Sequence, residues 1–146
     1  MKIFSIAAVA LLVDISVSFD LIDDDDTFRN KPKIPILNRK FGMKCQTNTI
    51  YNAETIMQNL DKVYSNKLLA HLEQGSFTRF PGVVFYHYFI GQSNISEQGY
   101  YPSNYIIVDS RGVFVAGMTS IPGLYPKAYK VCKFTEETEF ATYRRQ

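Results

Sequence analysis

Apolar and polar positions follow two rhythms along this chain of 146 residues, and the stronger one is the β-strand rhythm past its midpoint. Tyr105-Ile106-Ile107-Val108 and Val113-Phe114-Val115-Ala116-Gly117-Met118 are nearly unbroken apolar runs on either side of Asp109-Ser110-Arg111-Gly112. β-Branched runs around such a turn predict a β-hairpin in which Gly112 takes the positive-φ position. Runs apolar on both faces belong to covered strands, so the hairpin is expected at the centre of a sheet. A further run, Val83-Val84-Phe85-Tyr86-His87-Tyr88-Phe89-Ile90, has strand composition and no formal charge. Alternation puts Phe85, His87 and Phe89 on one face and Val84, Tyr86 and Tyr88 on the other. Phe80-Pro81-Gly82 bends the chain ahead of it, and Tyr129 to Phe134 reads as a last strand.

The helical rhythm occurs once. Asn52 is placed to cap, Glu54 sits in the first turn, and Ile56, Leu60, Val63, Tyr64, Lys67 and Leu68 recur at helical spacing. With Gly75 as a stop, this predicts one amphipathic helix from Ala53 to about Leu72. One helix followed by closely connected strands predicts an α+β fold with an antiparallel sheet.

The N-terminus changes the picture. Lys2 precedes an apolar run from Ile3 to Val13, and the small residues Ser16 and Ser18 suit signal-peptidase cleavage after Ser18. The run is too short to span a bilayer, so residues 1–18 are expected to be a signal peptide, leaving a secreted chain without a membrane anchor. Residues 19–40 hold five aspartates, Pro32 and Pro35 without periodicity, which predicts a disordered acidic leader ahead of a domain at 41–146. The formal charge of +2 divides into −4 over residues 19–30 and +6 over 31–146. A mildly basic domain is compatible with RNA, an acidic protein surface or a lipid headgroup, and selects none of them.

Cys45 and Cys132 are the two cysteines of the chain, and in an oxidising compartment their pairing is expected. With no CxxC, no HExxH and two histidines, no metal site or other cofactor is expected.

The order of these features resembles a known family. A signal peptide, Cys45 shortly before Tyr51 and Ile56 at the helix start, one helix, a sheet and Cys132 near the end resemble the ribonuclease-like effectors that powdery mildew fungi secrete from haustoria. Those effectors in turn look like small fungal guanyl-specific ribonucleases, with one helix packed on an antiparallel sheet. The likeness spans roughly Phe41 to Cys132, and Met43 stands where the effectors usually carry an aromatic. It implies a secreted effector that engages a host protein or host RNA and modulates plant immunity. Members of such families are proposed to act inside the host cell, and some are recognised by plant immune receptors.

The resemblance also implies which chemistry has been lost. Cleaving RNA through its 2′-hydroxyl needs a base, an acid for the leaving oxygen and a cation for the phosphorane charge. The enzymes' arginine opens the first hairpin strand after a proline; after Pro102 that place falls to Tyr105. Their acid histidine follows the second strand, and Ile121 stands there. Phe80-Pro81-Gly82 resembles their Tyr-Pro-His, leaving Gly82 for the histidine, and Phe85-Tyr86-His87 resembles their Tyr-Tyr-Glu, leaving His87 for the base. A catalytically inactive scaffold, with no catalytic residues, is therefore expected.

His87, Arg79, Tyr100, Tyr101, Tyr105, Tyr125, Lys127 and Lys130 form the candidate binding surface, aromatic and basic groups suited to stacking and phosphate contact or to protein anchoring. Ordinary core and edge packing accounts for about half of such residues, and the favoured reading of His87 is a half-buried histidine bonded to a neighbouring strand or hydroxyl. Asn94-Ile95-Ser96 is a glycosylation sequon. His71 suits a helix C-terminus, and Glu97 suits a solvated loop. The rival expectation is a secreted ribonuclease with a site rearranged around His87, Glu97 and Arg79, which needs a second acid or base within reach of His87. A purely structural secreted domain is the third. The protein is expected to be a monomer.

Overall fold

The computed structural model describes residues 18–22, 32–45, 49–92, 102–121 and 128–145. In chain order its strands are β1 (Ser18–Leu21), β2 (Lys33–Pro35), β3 (Gly42–Lys44) and β4 (Ile50–Asn52). Helix α1 (Ala53–Ser65) and a 3-10 turn (Leu68–His71) follow. Then come β5 (Gln74–Phe77), β6 (Phe85–Gln92), β7 (Ser103–Asp109), β8 (Phe114–Ile121), β9 (Ala128–Val131), β10 (Lys133–Phe134) and β11 (Phe140–Thr142). The principal sheet has six strands in the order β1-β5-β6-β7-β8-β9. β3, β4 and β10 form a second sheet, and β2 pairs with β11. The fold is α+β, mostly sheet, with one helix among the described residues and one disulfide.

The expected hairpin is β7-β8, inside the principal sheet and covered on both faces. Ile106 and Val108 enter one core cluster with Met43, Tyr51, Ile56 and Phe114; Ile107 enters the other with Phe19, Phe77, Phe85 and Met118. Gly112 has φ +78° and donates its amide to the Asp109 carbonyl at 2.9 Å, the left-handed step that turns the chain. α1 lies on the first face through Ala53 and Ile56. His87, whose register partner on β7 is Ile107, points to the face away from the helix.

α1 begins as expected. The Asn52 carboxamide oxygen accepts from the Thr55 amide and hydroxyl, both at 2.9 Å. Asn52→Ala should therefore cost about 1 kcal/mol in urea unfolding; an unchanged midpoint would show that the cap contributes nothing. The helix stops short of the expected Leu72. Asn66 turns its side chain back onto the Lys62 carbonyl at 3.0 Å, and Lys67 adopts a left-handed φ of 50°, which ends the α-helical ladder. Tyr64, expected in the apolar stripe, is exposed, and its hydroxyl donates to the Arg111 carbonyl.

The N-terminal segment differs most from expectation. Within the stretch expected to be a disordered leader, Phe19 and Leu21 are buried in the core and β1 pairs in parallel with β5; β2 pairs with β11. Two apolar anchors alternating with Asp20 suffice to dock a short strand once an edge is available. That edge is β5, where Gly75 acts as a packing site rather than a helix stop. A Cβ there would overlap the Phe19 ring and carbonyl. The last expected strand is broken at Cys132 into β9 and β10, which belong to different sheets. Cys132 is bonded to Cys45.

Candidate functional site

The helix-free face of the principal sheet gathers the chemistry. Antiparallel pairing of β5 with β6 matches Gln74 to Tyr86, so Glu73 falls across from His87. The His87 amide donates to the Glu73 carbonyl at 3.4 Å, and His87 Nε2 lies 2.8 Å from Glu73 Oε2. The imidazole is 8% exposed, while the Glu73 side chain keeps 51% of its surface in solvent. Rings enclose the histidine: Tyr105 of β7 at 4.7 Å, Phe19 of β1 at 4.9 Å and Tyr129 of β9 at 6.2 Å between centroids. Phe89, half exposed, continues the array at 5.9 Å from Tyr105.

Electrostatics follow from this enclosure. Burial pushes the Tyr129 phenol above its usual range, and the Glu73 carboxylate and Tyr105 push it the same way. Tyr129 is thus a neutral hydroxyl at physiological pH, beside a carboxylate–imidazole pair. Such a pair can hold or move one proton between Nε2 and a carboxylate oxygen, and its rings can flank a planar group.

The structure brings together only part of the expected surface. His87 and Tyr105 meet. Arg79 lies in the turn after β5, at the opposite end of that strand from Glu73, with its guanidinium 4.9 Å over the Phe77 ring. It is buried, so it is not the exposed cation expected there. Lys130 is exposed, but it follows Tyr129 on β9 and alternation turns it to the other face. Gly82 lies in the β5–β6 turn with φ +77°, off the strands that flank His87. Ile121 ends β8 in register with Ala128. Tyr100, Tyr101, Tyr125, Lys127, Asn94 and Glu97 lie outside the described residues.

Glu73 is the member of the candidate site that sequence reasoning missed. It sits fourteen positions from His87 in an unpatterned stretch, and only strand register makes them neighbours. A cleft of about 470 Å³ elsewhere, lined by Phe41, Asn52, Glu54 and Met57 among others, flanks the start of α1 on the helix side. It shares no residue with the His87 cluster.

No family model, curated protein or solved structure matches this chain.

Proposed function

We propose that this chain is a secreted effector, resembling the ribonuclease-like haustorial effectors of powdery mildew fungi, whose ribonuclease-like sheet serves binding rather than catalysis. Its target is a host protein or host RNA, and its effect is to modulate plant immunity. The observation that supports this reading is Tyr105. At the place where the resembling enzymes put an arginine, β7 carries a phenol packed 4.7 Å from His87. A phenol carries no positive charge in any protonation state, so it cannot offset the charge of a pentacoordinate phosphorane. Ile121, in the place of the acid, has no proton to give.

One observation favours a second reading, a ribonuclease with a relocated site. Glu73 supplies the second proton-transfer group within 2.8 Å of His87 that such an enzyme requires. A single assay separates the two. Purified, disulfide-bonded protein is incubated with a labelled single-stranded RNA, following cleavage and binding across a salt series. The effector reading expects no cleavage; binding that weakens with salt would identify RNA as the target, and no binding would direct the search to host proteins. Cleavage that falls about 10²–10⁴-fold in His87→Ala and in Glu73→Gln would overturn the inactive scaffold and establish the enzyme.

A further inference from the structure

We propose that β1 is a displaceable strap that closes the His87–Glu73 face. The strand sits at one end of the six-stranded sheet, where β5 is its ladder partner, and theirs is the parallel pairing in a sheet otherwise antiparallel. The sheet curls far enough for β1 to touch β9 at the other end of the strand order. β1 therefore bridges the rim. Phe19 occupies the gap, 4.9 Å from the His87 ring and 6.2 Å from Tyr129. This placement accounts for a histidine that is 8% exposed beside a carboxylate that is half in solvent. Part of the cover over His87 comes from 68 positions upstream, beside the Tyr105 and Tyr129 rings of the sheet strands.

The attachments of β1 suit a cover that opens without unfolding the domain. It is four residues long, and its polar ties outside the ladder lie at the surface end of β5. Ser76 donates its hydroxyl to Asp20 at 2.6 Å, and the Thr78 amide donates to the Leu21 carbonyl at 3.0 Å. β1 contributes only Phe19 and Leu21 to the core cluster that Phe77, Phe85, Ile107 and Met118 share, and as a short edge strand it belongs among the segments that open below the global unfolding free energy. With the strap down, His87 is shielded from a macromolecule while Glu73 stays half in solvent. With it lifted, Glu73, His87, Tyr105 and Tyr129 form one open face of a carboxylate, an imidazole and two phenols. The nature of the molecule received there rests on the function proposed above; the motion does not.

Acylation by diethyl pyrocarbonate reads the strap directly, because the two histidines supply their own reference: His71 is exposed and His87 is covered. In the full chain His87 should react about tenfold or more slowly than His71. Gly75→Ala, whose Cβ collides with the Phe19 ring and carbonyl, should bring the His87 rate close to that of His71. Asp20→Cys with Ser76→Cys, register partners across β1 and β5, should slow it further by locking the strap. Retention of the cooperative urea transition separates strap opening from unfolding in Gly75→Ala, and the locked protein decides the matter if that variant does not fold. A locked protein whose His87 reacts at the wild-type rate would overturn the proposal, as would a folded Gly75→Ala whose His87 stays protected. A reactive His87 in Gly75→Ala without RNA binding would keep the strap and discard RNA as the target.

Discussion

Replacing Cys45 and Cys132 together by alanine is expected to lower the unfolding free energy by about 4–5 kcal/mol, a large share of what a domain of this size holds in reserve. The cysteines are 87 positions apart, and their bond joins the end of β3 to the junction of β9 and β10. In the chain-entropy account, opening a loop that long frees the unfolded chain far more than the folded one. Both sulfurs are also buried in the core cluster under α1, next to Met43 and Gly117, so truncation leaves a void as well. Urea unfolding of wild type and the double variant checks the figure. A loss below about 1 kcal/mol would show that other contacts hold β3 and β10 together without the bond.

Much of this architecture is legible because the local signals are dense. The β7-β8 hairpin has two apolar runs and a turn whose glycine is required, and α1 has a cap that its sequence announces. The disulfide follows from a count of two cysteines. β1 is not legible, because its case rests on Phe19 and Leu21 alone, set against a run of aspartates, and its partner lies more than fifty positions downstream. β5 is equally quiet: Gln74-Gly75-Ser76 has no strand propensity, and its glycine mimics a helix stop. Tertiary pairing decides both strands, and with them the site, since Phe19 and Glu73 are the neighbours of His87 that periodicity could not supply. Lys130 shows the converse error. Composition grouped it with His87 and Tyr105 in one surface, whereas alternation along β9 turns it to the face opposite Tyr129, the residue that meets His87.

Asp109→Ala should destabilise the protein by about 2–3 kcal/mol at neutral pH, because the carboxylate is the hub of the hairpin turn. Asp109 is 2% exposed. One of its oxygens accepts from the amides of Arg111 and Val113, both at 2.9 Å. The other accepts from Arg111 Nη2 and from the Tyr143 hydroxyl, both at 2.8 Å, and so ties the turn to the C-terminal segment. Removing it leaves the buried Tyr143 hydroxyl and the partly buried amides of Arg111 and Val113 without their acceptor. Burial by itself would raise the carboxyl pKa, but the bonds from Val113, Tyr143 and Arg111 together outweigh it and hold the group below the ordinary carboxylate value. A folded value below the unfolded one means that the contribution is complete above about pH 4 and drains away as pH falls through the folded value. The stability gap between wild type and Asp109→Asn, followed by urea unfolding from pH 7 down to about 2.5, should therefore be widest at neutral pH and close on acidification. A gap that stays constant across that range would mean that the shape of the turn, and not the charge of Asp109, stabilises the hairpin. Tyr143→Phe should reproduce only one bond's share of the loss, about 1 kcal/mol, because Arg111 and the two amides still satisfy the carboxylate.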